Sequence, residues 1–289
     1  VDDTCCGARD FIYRDGRHAV HVFPHPMTNT PAIEVNNLVT HYGPRLILDG
    51  VDFSVDYGEV MVIMGGSGSG KSTLLRHLLG LHTPTHGCIK LLGHDITSCS
   101  ADELQDLRRN MGVSFQGGAL LSSMSVAENV MLPLREHTTL DEQTMGIMAR
   151  MKLEVVNLGG FGDLNPSQLS GGMIKRAALA RAIVTDPKLL FFDEPSAGLD
   201  PVVAAELDEL ILKLRDTMKM TIVVVTHELD SAFKIADRIT VLDHGKILLT
   251  GRVEDVRASD NERIQDLLNR RPREEEIDAD DYLRRLTGG

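Results

Sequence analysis

The stretch Gly65-Gly66-Ser67-Gly68-Ser69-Gly70-Lys71-Ser72-Thr73 decides the fold, because it fits the phosphate-binding pattern G-x-x-x-x-G-K-[ST]. Val60-Met61-Val62-Ile63-Met64 precedes it, an all-apolar run of the kind a buried parallel strand needs. Leu74-Leu75-Arg76-His77-Leu78-Leu79 follows, with apolar residues at helical spacing. The loop therefore stands between the carboxyl end of a strand and the amino end of a helix. Glycines let successive N–H groups converge on phosphate oxygens without Cβ clashes, and the helix adds its positive dipole end. In such a loop Lys71 reaches the β- and γ-phosphates and Ser72 ligates Mg²⁺. A Gly/Ser linker would lack the flanking strand and helix. The expectation is a protein that binds a nucleoside triphosphate.

Moving outward, the 289 residues allow one large domain or two small ones, with 42% hydrophobic and 25% charged residues. A formal net charge of −12 argues against a general nucleic-acid binder. Apolar runs all fall short of the roughly 20 residues of a membrane span, so work at a membrane would go through a partner. Cys5, Cys6, Cys88 and Cys99 show no metal-type pairing and are expected to be thiols.

Residues 1–31 read as a disordered N-terminal extension, with no apolar signal region and with His18, His21 and His25 in no periodic frame. Extended segments follow around Ile33–Val35 and Val51–Val55, with Tyr42-Gly43 between them. Ser100–Glu103 and Ser125–Glu128 are capping boxes, and Pro133 is expected to stop the helix begun by the second. A longer helix is expected from about Asp141 to Val156, carrying Met145, Met148, Met151 and Val155 on a stripe read as core packing. Residues 117–170 thus form a helical insertion in an α/β core. Leu189–Phe192 and Ile222–Val225 are buried strands, Asp200-Pro201 caps a helix, and 239–249 reads as a hairpin. Residues 251–289 read as a polar C-terminal extension with a helix around Ile264, Leu267 and Leu268, a charge block at 271–276, then Tyr282, Leu283 and Leu286.

Further motifs narrow the chemistry. Leu189-Leu190-Phe191-Phe192-Asp193-Glu194 is an apolar strand that delivers two carboxylates, Asp193 for Mg²⁺ and Glu194 as general base toward water. Leu169-Ser170-Gly171-Gly172-Met173 opens a helix and makes a second anion site. Here the chain resembles the nucleotide-binding subunits of ABC transporters, whose signature is LSGGQ. In that family the motif closes over nucleotide held by another subunit's P-loop, so the resemblance implies a head-to-tail homodimer with Ser170, Gly171, Gly172 and Met173 facing the opposite site. The resemblance extends over about 32–250 and implies a P-loop (RecA-like) α/β core with an antiparallel β subdomain and a helical subdomain.

By the same resemblance Tyr42 stacks on adenine, and Gln116 is the Q-loop glutamine that senses Mg²⁺. Ser196-Ala197-Gly198-Leu199-Asp200 matches the D-loop, and His227 is the switch histidine on the γ-phosphate. The implied site thus comprises Tyr42, the 65–73 loop, Gln116 and His227 for ATP, with Ser72, Gln116 and Asp193 for Mg²⁺. Glu194, His227 and Lys71 carry the catalysis. Met173 departs from the family glutamine and removes an amide contact; Ser170 and both glycines remain, so ATP hydrolysis is expected to survive.

Leu-Ser-Gly-Gly-Met followed by Arg176-Ala177-Ala178-Leu179-Ala180-Arg181-Ala182-Ile183 resembles the ATPases of Mla-type phospholipid transporters, as do 115–121 and 129–138. That resemblance implies a separate membrane permease, an MCE-domain protein, a small STAS-domain regulator near residues 251–289, and a place on the cytoplasmic face of the bacterial inner membrane. It also offers residues 117–138, with Leu120, Leu121, Met124 and Met131, either as a groove for the permease or as insertion core. The alternatives are an ABC ATPase for another cargo (amino acid, ion or drug), a soluble ABC ATPase, and a non-catalytic scaffold. Lys71, Asp193, Glu194 and His227 together speak against the last.

Overall fold

The computed structural model describes residues 30–271. The expected N-terminal extension falls almost wholly outside that range, as do Tyr282, Leu283, Leu286 and most of the terminal charge block.

The chain begins with β1 (Ile33–Tyr42), β2 (Arg45–Val55) and β3 (Val60–Met64), followed by α1 (Lys71–Leu78). Next come β4 (His86–Leu91), β5 (His94–Asp95), α2 (Ala101–Arg108) and β6 (Met111–Ser114). The middle is helical: α3 (Val126–His137), α4 (Glu142–Val155), a 3-10 turn at Pro166–Gln168 and α5 (Gly171–Ala182). Then β7 (Leu189–Asp193), α6 (Pro201–Met218), β8 (Thr221–Thr226) and α7 (Leu229–Ile235) restore the α/β alternation. The described residues end with β9 (Arg238–Asp243), β10 (Lys246–Gly251), α8 (Val253–Arg257) and α9 (Glu262–Leu268).

Two sheets result. One runs β2-β1-β4-β5 and is antiparallel. The other runs β10-β9-β3-β8-β7-β6 and is parallel except for the β9–β10 hairpin. Strand alternation divides the interior in two. Val60, Val62 and Met64 join Leu190, Phe192, Ile222 and Val224 in a core shared with α3 to α6. Met61 and Ile63 instead join Phe191, Val223 and Val225 in a second core, which includes β1, β2, β4 and α1. Because both faces of the central strands are covered, they read as continuous apolar runs rather than as alternation.

Both expected capping boxes form, at Ser100 with Glu103 and at Ser125 with Glu128. Pro133 does not stop its helix: α3 continues to His137. The proline removes one ladder bond, at a cost of about 3 kcal/mol. Burial of Val130, Met131 and Leu134 outweighs it, each contributing about 1.5–3 kcal/mol. The methionine stripe also needs correction. Met145 is buried, whereas Met151 is 62% exposed, because each three-residue step falls about 60° short of a full turn. Residues 117–138, read either as a groove or as insertion core, divide between the two: Met131 is buried and Leu121 is exposed.

Val256 and Ile264 are fully buried in the first core, with Leu267 and Leu268 packed against it. The beginning of the supposed polar tail is therefore part of the folded body. Among the described residues no helix is long and apolar enough to cross a membrane.

Candidate nucleotide site

Four neighbouring strands of the parallel sheet, in the order β3-β8-β7-β6, place the candidate residues side by side at their carboxyl ends. The 65–70 loop follows β3, His227 follows β8, Asp193 and Glu194 close β7, and Gln116 lies two residues past β6. Ligands of open α/β sheets bind at this edge.

The loop is shaped by close backbone approach. A Cβ on Gly65 would stand 2.1 Å from the Leu242 carbonyl oxygen, and Gly68 and Gly70 adopt φ of +74° and +108°. Gly245 N–H donates to the Ser69 carbonyl at 2.9 Å, tying the loop to the β9–β10 turn. Lys71 Nζ donates to the carbonyls of Gly65 at 2.7 Å and Gly66 at 2.9 Å, across the mouth of the loop. The first turn of α1 carries no acid, and its N-cap, Gly70, offers no side-chain cap. Ser69 Oγ is buried with no hydrogen-bond partner among the described residues. The glycine-rich backbone, an ammonium and a helix whose first turn carries no acid fit a polyphosphate.

On β7, burial and the neighbouring Glu194 charge push the Asp193 carboxyl up from the ordinary carboxylate range, while Arg76 and Lys71 pull it down. A half-buried acid that faces two cations, at the same sheet edge as the Ser72 hydroxyl at the start of α1 and the exposed Gln116 amide after β6, supplies the oxygen chemistry that suits a hard cation. Glu194 occupies left-handed backbone at φ +51°, and its side chain is only 12% exposed. Thr226 Oγ1 donates to its Oε2 at 3.1 Å and the His227 N–H at 3.3 Å, while His227 Nδ1 lies 2.8 Å from Oε1.

Tyr42, at the end of β1, is 41% exposed and meets His82 edge-on, with ring centroids 6.1 Å apart. Neither His82 nor the buried His77, bonded to Thr40 at 2.8 Å, stood out in the sequence.

The stretch 169–173 leads into the start of α5. Ser170 is the N-cap of α5 and accepts from Met173 N–H at 3.3 Å. Ser170 and Gly171 are exposed, while Met173 packs against the first core. Asp200 caps α6 by accepting from Val202 and Val203 N–H, each at 3.1 Å.

Two residues of α5 were missed by sequence reasoning. Arg181 donates to the carbonyls of Gly118 and Ala119 at 2.8 and 2.7 Å, fixing the chain after Gln116. Lys175 reaches the carbonyls around Glu194. Both partners are main-chain atoms of distant loops, which leave no trace in residue types.

Comparison with known proteins agrees with this geometry. The family model described as "ABC transporter" matches residues 48–197. The chain belongs to the ABC transporter family. This ABC ATPase is 40% identical over 261 residues to the intermembrane phospholipid transport system ATP-binding protein MlaF of Haemophilus influenzae, covering 89% of this chain and 99% of that one. It is 41% identical over 240 residues to the probable ribonucleotide transport ATP-binding protein mkl of Mycobacterium bovis, covering 83% and 67%. Among solved structures, the dimeric post-hydrolysis state of the ATP-binding cassette MJ0796, bound to ADP and Pi, aligns with TM-score 0.70 and 31% identity over 76% of this chain and 98% of that one. As an ABC ATPase the protein binds and hydrolyses ATP.

Proposed function

We propose that this ABC ATPase drives phospholipid transport through a separate permease at the bacterial inner membrane. The observation that carries the cargo reading is its identity to MlaF over 99% of that protein's length. The mkl similarity, which covers 67% of its relative, supports a ribonucleotide cargo less far along the chain.

In this reading two copies close head to tail on two ATP molecules. Ser170 and Gly171, exposed at the tip of α5, with the adjoining Gly172 complete the phosphate site on the partner's loop; the dimeric MJ0796 cassette supports the pairing of two copies. Tyr42 stacks on adenine, the amides of 65–73 and Lys71 hold the phosphates, and His227 senses the γ-phosphate. Ser72, Gln116 and Asp193 would hold Mg²⁺, which supplies charge neutralisation on the phosphate oxygens. Glu194, oriented by Thr226 and His227, takes the proton of the attacking water. Asp200 reaches toward the partner's site. Residues 32–250 act as the cassette, with a helical subdomain at about 117–170, and 251–289 as an extension that meets the partner or a small STAS-domain regulator. An MCE-domain protein completes the assembly.

Isolation of the native complex from bacterial membranes tests this reading. It expects a permease and an MCE-domain protein to accompany the ATPase, and the reconstituted complex to move labelled phospholipid between vesicles in an ATP-dependent way. ATP-dependent uptake of a ribonucleotide with no lipid movement would establish the other cargo.

A further inference from the structure

Lys175 lies five positions along α5 from Ser170 and is partly buried, and its ammonium hydrogen-bonds backbone carbonyls. Its Nζ sits 2.6 Å from the carbonyl oxygen of Pro195, 2.5 Å from that of Ala197 and 3.5 Å from that of Glu194. A lysine ammonium has three donors, and here they meet three carbonyls of a single turn. That turn is closed on itself by Ala197 N–H to the Glu194 carbonyl at 3.3 Å and by Leu199 N–H to the Ser196 carbonyl at 3.1 Å. Its other two carbonyls, those of Pro195 and Ala197, converge on Lys175.

The turn begins at Glu194, whose φ of +51° is a conformation that a residue with a Cβ holds only when its surroundings impose it. On one side β8 imposes it. Glu194 N–H donates to the Val225 carbonyl at 2.8 Å, and Thr226 and His227 grip the carboxylate. On the other side Lys175 donates to the carbonyls of the turn. We propose that Lys175 is a positioning residue for Glu194: it clamps the turn from the helix whose tip faces the partner's nucleotide, and so ties the base in one protomer's site to the helix that completes the other. The proposal rests on Glu194 being the general base. It adds a link within one protomer between signature helix and base.

The residue type matters for this role. Methionine matches the length of lysine but donates nothing. Glutamine offers an amide group that can reach fewer carbonyls. The three hydrogen bonds of Lys175 go to the 194–197 turn rather than to the 65–73 loop, so ATP binding should not depend on the clamp.

The test uses the full-length chain, with steady-state ATPase and equilibrium binding of ATP measured for Lys175→Met, Lys175→Gln and Glu194→Gln. The clamp predicts kcat of Lys175→Met below one third of wild type, ATP affinity within twofold of wild type, and Lys175→Gln between the two. A kcat above one third of wild type overturns the proposal, and so does a loss of ATP affinity as large as the loss of kcat. Should Lys175→Met fail to fold, Lys175→Gln decides: a kcat equal to wild type, or a loss of ATP affinity as large as its loss of kcat, overturns the proposal. Glu194→Gln separates the two levels of inference. If it is inactive while Lys175→Met turns over normally, only the clamp falls. If Glu194→Gln itself turns over normally, the base assignment falls and takes the clamp with it.

Discussion

His227 Nδ1 lies 2.8 Å from Glu194 Oε1, so the residue after β8 and the residue after β7 meet across adjacent strands. The pairing orients the carboxylate, and the Thr226 hydroxyl holds its other oxygen. Proton removal by a positioned carboxylate contributes about 10²–10⁴-fold. Glu194→Gln keeps the shape and one acceptor oxygen but cannot take a proton. Its kcat should fall by about 10²-fold or more, with ATP affinity little changed, as single-turnover and binding measurements would show.

Lys71 bonds its own loop carbonyls at 2.7 and 2.9 Å, so its ammonium is already held at the mouth of the loop. Replacing Lys71 by Ala removes a charged hydrogen-bond donor to phosphate, a loss of about 1.5–3 kcal/mol. ATP affinity should therefore weaken roughly 10- to 150-fold, measured by titration calorimetry. An affinity within twofold of wild type would reject this role.

Asp193 couples function to stability. Burial, the largest cause, lifts its carboxyl above the ordinary range, so the folded protein favours the protonated acid. That preference is fully present below the unfolded pKa and is lost as pH rises through the folded one. Ionised Asp193 is then a load on the nucleotide-free fold at neutral pH. Asp193→Asn should melt at a higher temperature than wild type at neutral pH, with the difference shrinking toward acid pH, while Mg²⁺-dependent turnover is lost. Melting curves across pH without nucleotide would check the sign.

Met173 packs against the core although it stands where the family carries glutamine. Its side chain is thus partly engaged away from the exposed tip. Met173→Gln should leave ATPase activity within about twofold and lower stability slightly, since an isosteric polar exchange at a half-buried site costs about 1 kcal/mol. Ser170→Ala removes the α5 cap bond, worth about 1 kcal/mol, and should also lower turnover. Parallel ATPase and melting measurements on both variants decide between tip and core roles.

Gly65 has no room for a side chain, as its Cβ would meet the Leu242 carbonyl at 2.1 Å. Gly65→Ala should destabilise the fold by about 1–3 kcal/mol or more and abolish ATP binding. Chemical denaturation would give the first number and nucleotide titration the second.

The main strands and the phosphate loop were legible because their chemistry is local. An apolar run ending in Asp193-Glu194, or glycines ahead of Lys71, implies its own structure. Lys175 and Arg181 were illegible for the opposite reason: each is an ordinary helix residue whose partners are backbone carbonyls, 19–22 and 62–63 positions away. Pro133 misled because local propensity argued for a stop, while burial of the flanking residues, a tertiary effect, carried the helix onward.

By itself the sequence determined the family and the nucleotide chemistry and singled out candidate residues for it, because steric and electrostatic demands of phosphate fix residue types at short spacing. Only the tertiary structure decided how those residues are held. The left-handed turn at Glu194, its grip by β8 and α5, and the packing of Val256 and Ile264 all depend on segments brought together by the two cores. Contacts between distant backbone and side chain have no pattern along the chain, so they exist only once the sheet and helices have assembled.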